Sequence, residues 1–222
     1  MENEERVTEN CPGVSVIVCA RNESDNLRHY LHALCGQKYP NFEVIVVNDG
    51  SEDDTQTVLE QYTQLFRNLR ITFVPKPSSV FPTFRHSALP LSLAAKAAKY
   101  DNLLLTEADC RPETPEWISS MMQGFAEEDT EVVMGRAAFF SDASLPLRLR
   151  IAYGITNLHP FKFSNASNYA IRKDVLFRML TSQERKVKRK KVRTPEAIVW
   201  KRPFTSFRDW KNYRMQNEPL IK

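Results

Sequence analysis

Three short clusters hold most of the side chains able to do chemistry. Glu107-Ala108-Asp109 follows directly on the apolar run Leu103-Leu104-Leu105-Thr106. Residues two apart on a strand point the same way, so both carboxylates are expected on one face. Like charges that close repel, and such a pair calls for a cation. Hard oxygen ligands suit Mg2+ or Mn2+, which keep open positions for phosphate oxygens. Arg21-Asn22-Glu23 and Asp49-Gly50-Ser51 stand at the ends of two other apolar runs. Taken singly, each Asp or Ser reads equally well as a helix cap or turn former. Their joint placement is what favours a site.

That placement depends on the elements behind the clusters. Val14 to Ala20 is a continuous β-branched run, the pattern of a strand buried on both faces in a parallel sheet. Ser24-Asp25 offers a helix start, Leu27, Tyr30, Leu31 and Leu34 share one helical face, and Gly36 is a stop. Glu43 to Val47 predicts a second strand, Asp53-Asp54 a cap, and Val58, Leu59, Tyr62 and Leu65 the next helical stripe. Further strands are predicted at Ile71 to Val74, Asn102 to Thr106 and Val132 to Phe140, with helices ending near Tyr100 and starting at Pro115. Pro90 places a helix start, or a kink, at its own position. Strands alternating with helices of this length give an α/β fold, a mostly parallel sheet with helices on both faces. In such sheets ligands bind beyond the carboxyl ends of the strands, where all three clusters fall. Beyond Ser141 the pattern loosens: Leu145 to Phe163 reads as a packed surface segment, Lys173 to Leu180 as a short helix, and Glu196 to Trp200 as an edge strand. Ser206 to Gln216 reads as an amphipathic helix, and Trp117, Trp200 and Trp210 as core anchors.

Composition narrows the class. The chain has 222 residues, 42% hydrophobic and 26% charged, enough for one large domain and too apolar for disorder. Its longest apolar runs fall far short of the roughly 18 residues of a membrane helix, and the polar, acidic stretch from Met1 to Asn10 is no secretory signal. Cys11, Cys19, Cys35 and Cys110 have no Cys-x-x-Cys spacing and read as reduced thiols of a cytoplasmic protein. The formal charge of +4 is local: seven of the 31 basic residues lie in Arg185 to Arg193, leaving 24 against 27 acids elsewhere. That run suits anionic lipid at the inner face of a membrane, or a solvated loop. Without interleaved aromatics it does not suit nucleic acid.

The segments Pro12 to Ser24, Phe42 to Ser51 and Leu104 to Pro112 together resemble family 2 glycosyltransferases of the GT-A (Rossmann-like) fold. The resemblance implies a polar tail over 1–11, a nucleotide-sugar-binding core over 12–140, and an acceptor-side portion of the same domain over 141–222. It implies a nucleotide pocket lined by Ala20, Arg21, Asn22, Glu23, Arg85 and Glu107, with Asp49 accepting from the ring N–H of a uracil-type base. It places Mn2+ or Mg2+ on Asp109, and Asn168, Trp210 and Arg214 on the acceptor side. The implied reaction is inverting transfer of a sugar, from a nucleotide-diphosphate donor such as a uridine-linked one, to a glycan or lipid-linked acceptor in cell-envelope polysaccharide synthesis.

The chain departs from that family in one consequential place. Members carry a Glu-Asp or Asp-Asp motif, the catalytic base, after the Asn-x-Ala segment. Between Phe177 and Pro195 the only acid here is Glu184. Either a base-bearing segment is absent from this sequence, or the protein binds a nucleotide sugar without efficient turnover. A nucleotidyltransferase on a related fold would need a Gly-rich phosphate loop after the first strand, and Arg21 to Ser24 contains no glycine.

Overall fold

In the computed structural model the described residues are 11–74, 88–158, 167–181, 190–204 and 206. The strands are β1 (Val14–Ala20), β2 (Phe42–Asn48), β3 (Leu69–Phe73), β4 (Asn102–Glu107), β5 (Cys110–Pro112), β6 (Val132–Phe139), β7 (Asn168–Arg172) and β8 (Lys191–Lys201). The helices are α1 (Ser24–Cys35), α2 (Thr55–Leu65), α3 (Ala88–Ala97), α4 (Trp117–Gln123), α5 (Leu147–Leu158) and α6 (Lys173–Thr181). All eight strands join one sheet in the order β3-β2-β1-β4-β7-β6-β8-β5. The β3-β2-β1-β4 half is parallel, as the buried β-branched runs predict. The other half is mixed: β7 runs antiparallel to β4 and β6, β8 parallel to β6, and β5 antiparallel to β8.

Strand alternation divides the core between two faces. Val14, Val16, Val18, Val44, Val46 and Leu104 meet Leu27, Leu31 and Leu34 of α1, Val58 and Leu59 of α2, and Trp117 and Met121 of α4. Ile17, Ile45, Val47, Leu103 and Leu105 meet Leu91, Ala94 and Ala95 of α3 and Val175, Leu176 and Met179 of α6. Each aliphatic side chain withdrawn from water contributes roughly 1.5–3 kcal/mol. Pro90 falls in the first turn of α3, where its missing N–H has no intrahelical partner to lose.

Four expectations for the later part of the chain change. The segment expected to be irregular contains α5, whose Leu149 and Tyr153 join Leu145 at four-residue spacing and pack on Phe139 and Phe204. The predicted edge strand is β8, eleven residues long and interior, flanked by β6 and β5. It starts at Lys191, so Lys191, Val192 and Arg193 of the basic segment 185–193 pair with Val132, Val133 and Met134 instead of forming a loop. Lys190, just before it, forms ion pairs with Glu127 and Asp129. Trp200 is a partly exposed member of a surface stack, 5.8 Å from Phe140, whose ring lies 6.0 Å from Tyr30. Trp117, by contrast, is the buried anchor expected. Among the described residues no helix is long and apolar enough to cross a membrane.

Candidate active site

The carboxyl ends of β2, β1 and β4 lie side by side. Val47, Cys19 and Glu107 share one register row, which puts Asp49, one residue past β2, and Glu107 with Asp109 at one rim. The Cys19 thiol reports this gathering: scarcity of water around it, and next the charges of Asp49 and Glu107, push it up to about 12.

Backbone geometry ties the two loops at this rim together. Asn22 adopts a left-handed φ of 55°, which asparagine tolerates better than most residues. From there its Oδ1 accepts from the Glu52 N–H at 2.8 Å, while its own N–H donates to Ser51 Oγ at 3.0 Å. Asp53 accepts from the N–H of Ser24 at 3.1 Å and from that of Thr55 at 3.0 Å. One carboxylate thus accepts from the first N–H of both α1 and α2. Thr55 Oγ1, which donates to Asp53, accepts from the Glu23 N–H at 3.0 Å. These bonds hold the Asp53 carboxyl at about 2, against the opposing effect of its desolvation. Gly50, with φ 62°, supplies the turn that returns the chain to the rim.

Glu107 and Asp109 are 3% and 4% exposed. Between them sits the ammonium of Lys201, the last residue of β8 and itself 1% exposed. Nζ donates to Asp109 Oδ1 at 2.7 Å and to Glu107 Oε2, which also accepts from the Ser167 hydroxyl. Arg202 continues the link, its N–H donating to Asp109 O and its Nη1 to Asn26 Oδ1, both at 3.0 Å. Asn26 donates in turn to Glu23 Oε2 at 2.6 Å. The end of β8 is therefore bonded to the acidic pair, and through Asn26 of α1 it is linked to Glu23 in the loop after β1.

Ligand atoms of Glu107, Asp109 and Cys110 lie within 4.8 Å of one another. The two carboxylates have the hard-oxygen character of a Mg2+ or Mn2+ site. Burial raises the Cys110 thiol well above the usual thiol range, with Lys201 opposing the rise and the nearby acids adding to it. A divalent ion fits the carboxylates chemically, and Lys201 is bonded to one oxygen of each, Glu107 Oε2 and Asp109 Oδ1.

Of the residues singled out from sequence, Ala20, Asn22, Glu23, Asp49, Glu107 and Asp109 belong to the rim and its loops, with Arg21 exposed beside them. Asn168, expected on the acceptor side, is the first residue of β7. It is 1% exposed, accepts from Trp117 Nε1 at 3.0 Å and donates to the carbonyls of Arg136 and Ala197 at 2.8 Å each. Its amide is committed to joining β7 with β6, β8 and α4, and its neighbour Ser167 is the residue that reaches Glu107. Arg85, Glu184, Trp210 and Arg214 lie outside the described residues. Lys201, Arg202 and Ser167 were not singled out from sequence. The available signal was a lysine closing the apolar run Ala197-Ile198-Val199-Trp200, an arrangement that is rarely buried unless paired.

Comparison with known proteins agrees with this geometry. The profile of Glycosyl transferase family 2 matches residues 15–190. An uncharacterized glycosyltransferase of Haemophilus influenzae is 32% identical over 127 residues, covering 57% of this chain and 37% of that protein. Hyaluronan synthase of Pasteurella multocida is 32% identical over 125 residues, covering 55% of this chain and 12% of the synthase. The chain thus spans well under half the length of these curated relatives. Among solved structures, the mannosyltransferase PcManGT of Pyrobaculum calidifontis, in complex with GDP-Man and Mn2+, superposes with a TM-score of 0.67 at 17% identity. That match covers 92% of this chain and 61% of the mannosyltransferase. TarS of S. aureus, in complex with UDP-GlcNAc, gives 0.63 at 18% identity, covering 87% and 59%. Identities this low show the shared fold alone. With the family profile covering most of the chain, the motifs in order and the acidic rim assembled, the chain belongs to glycosyl transferase family 2.

Proposed function

We propose that this chain transfers a sugar from a nucleotide-diphosphate donor, uridine-linked, to an acceptor hydroxyl with inversion. The observation that carries the reading is the gathering of Asp49, Glu107 and Asp109 at the ends of β2 and β4, on either side of β1. The loops after β1 and β2 form the base and ribose side of the pocket, and Asp49 accepts from the ring N–H of the base. The diphosphate then extends across β1 toward the acidic pair, where positive charge offsets the negative charge that grows on the leaving group. Mn2+ or Mg2+, held by Asp109 with Glu107, would supply Lewis-acid stabilisation of that group when bound.

In the transfer, the acceptor oxygen bonds to the anomeric carbon as the carbon–phosphate oxygen bond breaks. The electron pair leaves with the diphosphate, and the acceptor proton passes to a carboxylate. Glu184 is the candidate for that carboxylate. A second reading, donor binding without turnover, is favoured by Glu184 being the only acid between Phe177 and Pro195.

The test is calorimetry with UDP and UDP-sugars on wild type, Asp49→Ala and Asp109→Ala, followed by release of UDP in the presence of acceptor panels. Binding lost in Asp49→Ala supports the donor pocket, and wild-type binding that neither substitution alters refutes it. Binding without UDP release selects the second reading.

A further inference from the structure

We propose that the outer face of α5 is a membrane-contact surface, which seats the chain on a bilayer containing anionic lipid.

α5 is apolar on two sides, and the inner side is occupied. Leu149 and Tyr153, 1% and 4% exposed, pack with Leu145 against Phe139. Tyr153 Oη accepts from the Phe204 N–H at 2.7 Å and donates to the Phe204 carbonyl at 3.0 Å. Asn157 accepts from the Phe139 N–H at 2.8 Å and donates to its carbonyl at 3.1 Å. On the other side Leu147 and Ile151 are 67% and 55% exposed. They stand four residues apart on one helical face, where exposed Gly154 would meet no atom within 4 Å if it carried a Cβ. In the sequence, Ile155 and Leu158 continue the same three- and four-residue spacing. A helix bordering water on its outer side ordinarily carries polar residues there. This stripe carries none.

Charge selects the occupant. Arg148 and Arg150, both exposed, flank the stripe on either side. Among the described residues neither guanidinium meets a carboxylate, and between Asp142 and Asp174 the sequence has no acid. An apolar stripe edged by arginines suits a helix lying in the plane of an anionic interface. Its aliphatic side chains enter the acyl boundary, and the guanidinium groups stay among the headgroups. A second copy of the chain fits less well, because apposed α5 faces bring the arginines of both copies together.

The mounting of α5 relates this surface to the rim. Phe139, the last residue of β6, pairs with Lys201, which reaches the acidic pair. A bilayer seated on α5 therefore lies at the rim end of the sheet, the end from which a lipid-borne acceptor would enter. That consequence rests on the transfer reading above, whereas the membrane contact itself does not. The basic segment 185–193 lies at the other end: Lys191 pairs with Val132, the first residue of β6. The eight residues of that strand put about 23 Å between the two ends.

The test is cosedimentation of the purified full chain with vesicles of phosphatidylcholine alone and of phosphatidylcholine mixed with phosphatidylglycerol. Wild type is expected to pellet with the mixed vesicles and to be released by salt. Ile151→Glu and Gly154→Glu, both at exposed positions, are each expected to weaken binding about tenfold or more. Arg148→Gln and Arg150→Gln are expected to cost about fivefold each. Leu65→Glu, at a leucine 72% exposed on α2, is expected to bind as wild type does. Circular dichroism checks the fold of each variant, and UDP calorimetry reads the donor pocket separately.

A wild type that stays in the supernatant with both vesicles overturns the proposal, as does vesicle binding that Ile151→Glu leaves intact. So does a wild-type dimer, seen by light scattering, that Ile151→Glu dissociates without any vesicle binding, since the face then belongs to a second copy. UDP binding retained in any of these cases leaves the donor reading standing.

Discussion

Removing the Lys201 side-chain charge should unbalance the interior of the rim, and the size of the effect can be worked from the geometry. At the 2.7 Å separation from Asp109, an effective dielectric near 20 gives a gross attraction of about 6 kcal/mol. Glu107 adds a second bond to the same ammonium. Desolvation of three buried charges offsets most of that gain, so the triad as a whole adds little net stability. Breaking it from one side is a different matter, because two carboxylates are left without their cation. Lys201→Met should therefore cost about 3–5 kcal/mol. At roughly 2–4 °C per kcal/mol for a chain of this size, the melting temperature falls by roughly 6–20 °C. The triple variant Lys201→Met, Glu107→Gln, Asp109→Asn should recover much of this loss, since no unpaired charge remains. Urea unfolding of the singles and the triple gives the coupling directly. A Lys201→Met protein within about 1 kcal/mol of wild type would refute the buried triad, as would a triple variant whose loss equals the sum of the singles.

Other outcomes follow from side chains around the rim and behind it. Asn168→Ala orphans the Trp117 indole N–H and two strand carbonyls; at about 1–3 kcal/mol per buried group, urea unfolding should show a loss of about 3 kcal/mol or more. Gly135→Ala should also destabilise, because its Cβ would lie 2.3 Å from Asn168 Nδ2 and 2.6 Å from Ala197 O; an unshifted urea midpoint would contradict that packing. Glu43 is desolvated, which alone would raise its pKa, but the Lys99 N–H, the Ser15 hydroxyl and Arg70 outweigh this and hold it below 4.5. Its stabilisation is thus complete above pH 4.5 and lost as pH falls through the lowered value. Glu43→Gln should remove that part of the acid slope in urea midpoints measured against pH. Cys19 and Cys35 are both pushed up to about 12, chiefly by burial; iodoacetamide followed by mass spectrometry should leave both unmodified until the protein unfolds.

The parallel half of the fold was legible in the sequence because each strand there is a local statement. Val14 to Ala20, Phe42 to Asn48 and Asn102 to Glu107 are apolar runs bounded by polar turns, and right-handed connections leave few ways to order them. Asp49, Glu107 and Asp109 could be placed at one rim from strand ends alone. The other half was less legible because its partners are remote. Asn168 looked like a site residue from its motif, yet its surroundings are set by α4, β6 and β8, and the bulge between Met134 and Arg136 cannot be read from local periodicity. Likewise β8 resembled an edge strand, since the run from Lys190 to Arg193 and the interruption at Pro195 conceal an interior strand.

Lys201 shows where a one-dimensional reading stops. Asp109 and Lys201 are 92 positions apart, and nothing in the apolar run before Lys201 indicates which rim it closes on. The sheet decides it. Once β7 reverses direction beside β4, β6 follows antiparallel to β7 and β8 parallel to β6. The carboxyl end of β8 must then return to the rim where β1, β2 and β4 end. A charged residue at that end faces two carboxylates, and lysine satisfies them where leucine would leave two buried charges without a counter-ion and glutamate would add a third. The same topology that brings the acidic clusters together thus delivers the cation beside them.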